Sequence, residues 1–487
     1  MQFESADKPL REALPMVPRI SGRTLLLVSA LTFAFLALWA RLFPYTGDGD
    51  SILHFLNAQL AAHKPAEALY AWARPGYKLP LALFAALGIY PARLFNAAIT
   101  VACLWQTIRL AEDLRLRTAL LAAPMFLFQT CAFALAADTM TEIPLALGIA
   151  VATRLWLARR LELSALVVGF LPLLRPEGFF LGILWGLMVL FARGSIARKA
   201  RTLALMALGL LLWSAACRGL TGDWFRVLHA WSWPANTYAA YPRGPFWYYP
   251  ARWPEYCGLP LLVLFVTGIL ALCRDKSLRA RLALPITVWL LIFLLHATLF
   301  TGGWFCSSGV LRILACSAPM TALVCLLGWN SLARRFPALA TRRAALAATA
   351  FIAAWGIAQY FLYAEHLYFV PTLRTAAWIR DHDLLSPATP FAAGNQMLVA
   401  ELGMRPDSSQ LLNIPFNEKT WPALQTAPAG TILVWDNRQS EAWFRISIEE
   451  LRAAGYVQLH EEEFTWCTLP LLGGGTMRCV VLRKAAG

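Results

Sequence analysis

Residues 24–55 read TLLLVSALTFAFLALWARLF followed by PYTGDGDSILHF. The first part is a mostly apolar run of about 20 residues, long enough to cross a bilayer as a helix. Two carboxylates, Asp48 and Asp50, follow at once. Gly47 and Gly49 flank them and allow close backbone approach. Beyond them Leu53, Leu56, Asn57 and Leu60 recur at helical spacing. Similar apolar runs recur from Leu25 to Phe361. Of the 487 residues, 59% are hydrophobic and 15% charged, with a mean hydropathy of +0.54. A soluble chain of that make-up would expose too much apolar surface, so the pattern predicts an all-α polytopic membrane protein. The 20 Trp exclude a disordered or collagen-like chain.

The net charge of +15 is uneven. From Glu365 onward 10 Lys and Arg face 13 Asp and Glu, whereas the preceding part carries 33 against 15. Positive charge among apolar segments marks cytoplasmic loops, and no basic soluble face for nucleic acid is visible. Residues 1–23 read as a cytoplasmic lead carrying Lys8, Arg11, Arg19 and Arg23, not as a cleaved signal peptide. Basic clusters at Arg115/Arg117, Arg159/Arg160, Arg193–Arg201, Arg274–Arg281 and Arg334–Arg343 then all fall on one side. The reading gives about 11 transmembrane segments within residues 24–364. Long outer loops cover residues 44–90 and 217–257, with residues 79–88 lying in the interface. Residues 163–191 lie between two inner clusters, so they go in and return, broken at Arg175-Pro176-Glu177-Gly178.

Residues 365–487 form an extracytoplasmic α/β domain in this reading. Short strands are expected at 389–404, 431–436 and 456–461, and a helix at 448–454. A hairpin turn at Gly473–Gly475 sets Cys467 and Cys479 as a hypothetical disulfide. The other cysteines behave as small hydrophobes, and no Cys/His spacing marks a metal site.

Charges that break the topology rule are the informative ones, because ionisable groups at membrane depth are costly unless paired or functional. Asp48 and Asp50 offer chemistry, although Asp50 also suits a simple helix cap. Arg175 and Glu177 either pair and fix the helical break or, for Arg175, grip a phosphate with a planar fork. The loop WSWPANTYAAYPRGPFWYYPARWPEY, residues 231–256, interleaves aromatics with Arg243 and Arg252. Such rings, Tyr248 among them, make an interfacial belt or hold a glycolipid head. Arg312 opens a late segment from the outer side, where it snorkels or binds an anionic lipid head. Lys78 and Asp138 are further outer-side charges.

At these residues the chain resembles the GT-C class of integral membrane glycosyltransferases. The class carries one or two acids just after its first transmembrane helix, often Asp-Glu with an Ala eight residues on; here Asp50 and Ala58 keep that spacing, Ser51 replaces the second acid and Asp48 lies upstream. Arg74-Pro75-Gly76-Tyr77-Lys78-Leu79-Pro80 resembles the Pro-rich lead into an interfacial helix. Arg93-Leu94-Phe95-Asn96-Ala97 is similar to the segment after it. Asp138 matches an acid of the second outer loop. Leu173-Leu174-Arg175-Pro176-Glu177-Gly178 resembles a motif of mannosyltransferase-like members, and Arg312-Ile313-Leu314 with Pro319 a late motif. The resemblance spans the chain in layout.

What it implies is transfer of a sugar, mannose by the RPEG likeness, from a polyprenyl-phosphate donor to an acceptor hydroxyl on the outer face. Asp50 or Asp48 would act as base, worth about 10²–10⁴-fold. Arg175, Arg243, Arg252 and Arg312 would stabilise the leaving lipid phosphate, and Lys78, Asp138, Glu177 and Tyr248 would complete the substrate site. The expected partners are the lipid-linked donor, membrane lipid and an unidentified acceptor, with no nucleic acid. No cofactor is expected; a divalent ion on Asp48 and Asp50 ranks second to arginine. The expected location is a bacterial inner membrane. A transporter or flippase is the competing class, and it usually shows inverted repeats and midplane charges.

Overall fold

The computed structural model describes residues 19–43, 49–69, 74–226, 243–304, 309–362, 370–412, 420–467 and 474–486. Asp48, Gly47, residues 231–242 of the aromatic loop and the Gly473 end of the expected hairpin turn lie outside the described residues.

Thirteen longer helices carry the argument: α1 Gly22–Leu42, α2 Gly49–His63, α3 Pro75–Ala85, α4 Ile89–Asp113, α5 Glu142–Leu157, α6 Leu161–Phe170, α7 Glu177–Phe191, α8 Ile196–Thr221, α9 Leu259–Arg274, α10 Lys276–Gly302, α11 Ala318–Arg335, α12 Arg342–Leu362 and α13 Val370–Asp381. Six are long and apolar enough to cross a membrane: α1, α4, α8, α10, α12, and α11 with its lead-in Leu311–Ser317. Short polar residues start several of them. Ser21 accepts from the Thr24 amide, Ser195 from Arg198, and Asp275 from Ser277 and Leu278. Each satisfies amides that have no partner within the helix.

The rest of the eleven-segment expectation resolves into shorter pieces. Residues 119–136 are not one span. They break into Ala122–Leu127 and Thr130–Leu135, because Gln129 between them is extended and its buried amide donates to the carbonyls of Met125 and Ala318, both at 2.8 Å. A buried amide needs such partners. Residues 161–191 form α6, a 3₁₀ turn at Leu171–Leu173 and then α7, with Pro176 as the N-cap of α7. α6 stops at Phe170, two residues before Pro172, and both Pro172 and Pro176 lack the amide that a continuous helix would need there. A Cβ on Gly178 would stand 2.3 Å from the backbone of Leu171 and Pro172.

Two crossings depend on missing side chains. A Cβ on Gly328 of α11 would stand 1.9 Å from the Leu264 carbonyl oxygen of α9, and one on Gly268 would stand 2.1 Å from that of Val324. In α6 and α8, Gly169 and Gly209 meet in the same way, at 2.3 Å from Met206 O and 2.1 Å from Gly169 O. Small residues let membrane helices approach to backbone contact, where dispersion replaces the absent hydrophobic force.

The tail carries a four-stranded sheet of order β1-β2-β4-β3, with β1 Phe391–Ala393, β2 Ile432–Asp436, β3 Tyr456–Cys467 and β4 Gly474–Lys484. β1 and β2 are parallel; the other pairs are antiparallel. The strand expected over residues 389–404 stops after three residues, because Asn395 caps a helix, Gln396–Glu401, by accepting from the Met397 amide at 3.0 Å. The hypothetical disulfide is corrected. Cys479 is a buried free thiol, and the register sets it opposite Glu462 while Cys467 faces Gly474. That separates the two by about five strand positions, roughly 16 Å, beyond bridging reach.

The sheet packs on the outer helices. Ile52, Phe55 and Leu56 of α2 and Tyr77 and Leu81 of α3 share one apolar cluster with Ile379, Phe391, Met397, Ile432 and Val434. The end of α2 that carries Asp50 is therefore clamped between bundle and tail.

Replacing Gly328 by Ala forces a methyl against a backbone carbonyl, an overpacking cost of about 1–3 kcal/mol. The expected result is a lower thermal midpoint of the detergent-solubilised protein. An unchanged midpoint would remove close contact between α9 and α11 from the fold.

Candidate active site

Three acids sit in the first turns of three helices: Asp50 in α2, Glu142 in α5 and Glu177 in α7. Each benefits from the partial positive charge of its helix end. Arginines join them. Arg312, in the 3₁₀ stretch before α11, is ion-paired with Asp50 through Nη2, and its Nε lies 3.5 Å from Glu142 Oε1. The same Glu142 oxygen is 2.7 Å from Arg175 Nη1. Arg175 then forks onto Glu177, donating from Nη2 at 2.8 Å and from Nε at 3.1 Å to both oxygens. Glu177 Oε1 lies 3.3 Å from His296 Nε2 of α10. A continuous charged chain thus runs Asp50–Arg312–Glu142–Arg175–Glu177, with His296 against its inner end.

Its members differ in exposure. The Glu142 side chain is 0% exposed and those of Arg175 and Glu177 are 6%. Arg312 is 11% exposed, and Asp50 is 36%. Only at the Asp50 end does the chain open substantially.

A second layer fixes the opening. Arg74 has a left-handed backbone, φ 54, costly for a residue with a Cβ. That conformation turns its guanidinium inward, where Nη1 donates to Thr141 Oγ1 and lies 3.1 Å from His54 Nε2. Thr141 Oγ1 also accepts from Arg175 at 3.0 Å. Burial, then the charges of Arg74, Lys78 and Arg175, push the His54 imidazole well below its usual value. Lys78 is fully buried on α3, within the electrostatic reach of Arg74 and Asp50.

Asp138 is also buried. It accepts from the Thr139 amide at 2.9 Å, and Thr139 Oγ1 donates to the Ser51 carbonyl at 2.6 Å. Burial pushes the Asp138 carboxyl up to about 6, against the opposing pull of Arg93. The loop around it is tied down by Arg93, which donates to the carbonyls of Ala137, Ala40 and Phe43 at 2.7–2.8 Å. Asp138 therefore anchors the first turn of α2.

The aromatic loop contributes a flanking group. Arg252 pairs with Glu255 and donates to Tyr248 Oη. Tyr248 packs on Phe300 with centroids 4.6 Å apart. Phe300 is one turn of α10 beyond His296, so this group lies beside the charged chain. Arg243 lies against Gly303 at the end of α10.

Of the residues singled out from sequence, Asp50, Arg175, Glu177 and Arg312 stand in the chain, with Lys78 and Asp138 around it. Arg243, Tyr248 and Arg252 stand to one side, and Asp48 lies outside the described residues. Arg175 faces two buried carboxylates. His54, Arg74 and Glu142 are among the outer-side ionisable residues visible in the sequence, without a role assigned there, and sequence reasoning missed Thr141 and His296. A lone histidine inside an otherwise apolar spanning helix was the available signal.

No protein-family model matches the chain, and no curated protein matches it. Among solved structures it is similar to ArnT from Cupriavidus metallidurans bound to undecaprenyl phosphate, with a TM-score of 0.59, 12% identity and coverage of 96% of this chain and 99% of that one. The apo form of the same protein gives a TM-score of 0.56 at 12% identity, covering 93% and 98%. The chain has the GT-C fold. At 12% identity the likeness speaks for the fold, spans and tail together, and it extends over nearly the whole length of both chains. Within that GT-C framework the site residues rest on their own geometry.

Removing Arg175 leaves Glu142 and Glu177 buried beside less positive charge. Breaking a buried pair from one side typically costs about 3–5 kcal/mol. Arg175→Met is therefore expected to lower the thermal midpoint by several degrees, and Arg175→Lys by less, since charge remains but the fork is lost. Equal midpoints in wild type and Arg175→Met would show that the pairing holds nothing.

Proposed function

We propose that the protein transfers a sugar from a polyprenyl-phosphate carrier to an acceptor hydroxyl at the outer membrane–water boundary. The observation that carries this reading is the Asp50–Arg312 pair at the open end of a chain of otherwise buried charges. Glu142 and Glu177 are enclosed among cations, so they act as scaffolding. Asp50 alone of these three acids combines a helix N-terminus, a cation and substantial solvent access.

Arginine supports the donor class. Arg74, Arg175 and Arg312 lie among Asp50, Glu142 and Glu177. Arg312, at the open end, offers a guanidinium to the phosphodiester of a lipid-linked sugar. When the anomeric C–O bond breaks, the electron pair stays on the phosphate and its charge grows. Preorganised cations stabilise that growth in a site of low dielectric.

In the step we assign, the acceptor oxygen attacks the anomeric carbon and its proton passes to Asp50. The new glycosidic C–O bond forms as the bond to phosphate breaks, and polyprenyl phosphate leaves. Arg312 links the two halves, because it holds Asp50 before the donor arrives and meets the phosphate afterwards. It also supplies the positive charge that a divalent ion on Asp50 would otherwise bring. Arg175 acts here as a positioning residue that holds Glu142 and, through it, Arg312. Arg243, Arg252 and Tyr248 line the flank where lipid or sugar would lie.

The fold gives a framework for such a lipid partner, since the ArnT structure it resembles holds undecaprenyl phosphate. The apolar exterior of the bundle suits a polyprenyl tail. The outer placement of the site and tail is the reading that the inner basic clusters favour, and a bacterial inner membrane is part of this proposal. Mannose rests on the RPEG likeness alone, and Arg175 and Glu177 of that motif face each other.

The test is release of free polyprenyl phosphate from a panel of polyprenyl-phosphate sugars by purified protein. Asp50→Asn is expected to reduce transfer by at least about 10²-fold with the thermal midpoint preserved. Arg312→Lys should lower kcat with little change in the thermal midpoint, since the charge remains and the planar fork is lost. Full turnover in Asp50→Asn would remove Asp50 as the base.

A further inference from the structure

The bundle gathers a second set of arginines at its other end. Arg281 of α10 lies 15 residues before His296, about 22 Å along the helix axis. Three elements meet there: the start of α10, the end of α11 and the turn that follows α4. Arg281 Nη1 donates to the Leu114 carbonyl of that turn at 3.3 Å. Asn330 of α11 holds the same turn, donating from Nδ2 to the Arg117 carbonyl at 3.1 Å and accepting at Oδ1 from Thr118 at 3.1 Å. The turn carries two left-handed residues with side chains, Arg115 at φ 52 and Thr118 at φ 53, a conformation costly for a residue with a Cβ.

Positive charge crowds at this junction. Asp275, Arg115 and Arg334 lie within the electrostatic reach of Arg281. Asp275 caps α10, accepting from the amides of Ser277 and Leu278. The acids at the end of α4 are engaged elsewhere, Glu112 with Arg109 at 2.7 Å and Asp113 with Arg154 at 2.8 Å. Arg281 Nε is shielded from solvent and has no hydrogen-bond partner among the described residues. A buried donor without an acceptor is costly. Basic residues at the ends of spans are ordinary marks of topology and face water. Here guanidiniums from three elements converge instead, and one of them holds a buried N–H that nothing answers.

We propose that Arg281, Arg115 and Arg334 form a binding site for a phosphate group, supplied by an anionic phospholipid in the leaflet at this face. A guanidinium fork suits a phosphate better than it suits a single acceptor. The position favours lipid over a soluble anion. The cluster caps α4, α10 and α11, each in a stretch long and apolar enough to cross a membrane. Phe336, two residues beyond Arg334, is 51% exposed, as suits a ring at headgroup depth. Anionic headgroups attract such basic clusters at short range. A bound phosphate would tie three span ends together and give Arg281 Nε its acceptor.

The test adds phosphatidylglycerol to the full-length protein in dodecyl maltoside micelles and follows the thermal midpoint, which rises as a site on the folded state fills. Phosphatidylcholine and inorganic phosphate are the comparison probes, and no step depends on sugar transfer. Wild type is expected to show a saturable rise with phosphatidylglycerol and little with either comparison. Arg281→Gln should raise the half-saturating lipid fraction about tenfold, the scale of one hydrogen bond to a charged group. Arg334→Gln, at an exposed position, repeats the measurement should the first variant accumulate poorly. Arg201→Gln, in the separate cluster around Glu162, should leave that fraction unchanged. A wild type that does not prefer phosphatidylglycerol to phosphatidylcholine overturns the proposal. So does an equal loss in Arg201→Gln, since diffuse surface attraction would then explain the binding. An equal rise with inorganic phosphate overturns it as well, because the anion would come from solution.

Discussion

The structure depends on one constraint: a carboxylate with no water contact, Glu142, needs cations on more than one side. Taking an ion out of water costs several kcal/mol even after relaxation. Arg175 and Arg312 meet that need from different elements. Each then requires its own further partner, which brings in Glu177 and Asp50. The helices follow the charges. The first turns of α2, α5 and α7 converge because their acids must reach the same arginines, and α10 is drawn in through His296. The break at Pro176 has the same logic, since an unbroken helix would carry Glu177 past Arg175.

Division of labour emerges from burial. The inner acids cannot exchange partners without exposing a bare charge, so they hold geometry. Asp50 lies at the edge of that rigid array, near enough to share its field and open enough to meet a substrate. An array of this kind keeps its dipoles oriented before the reaction begins, and preorganisation of this sort carries much of the effect of polar active sites.

The membrane character, the break at Pro176 and most of the tail elements were legible in sequence, because apolar run length, proline sterics and strand composition act locally. Asp50, Arg175, Glu177 and Arg312 were legible because charges on the outer side of apolar segments are few. Their order was not. Whether Arg175 meets a phosphate or Glu142 depends on contacts between residues far apart in the chain, and nothing in the string RPEG distinguishes the two. Arg74 was visible as a charge, but its contacts with Thr141 and His54 were not, because they go with a left-handed backbone that residue type does not announce. His296 was not legible because a single polar residue in an apolar span carries no pattern that says which helix it faces. The break within residues 119–136 was not legible, because the carboxamide of Gln129 meets the carbonyls of Met125 and Ala318, and the second lies far along the chain.

The joint apolar cluster between α2, α3 and the sheet has a consequence for biosynthesis. Ile52 and Phe55 leave the ribosome roughly 380 residues before Ile432 and Val434, which at about 5–20 residues per second is about 20–80 s. Through that interval the greasy side of α2 lacks its final cover. Its temporary neighbours must be lipid headgroups, the unfinished bundle or a chaperone, and premature termination late in the message would leave the surface naked for good.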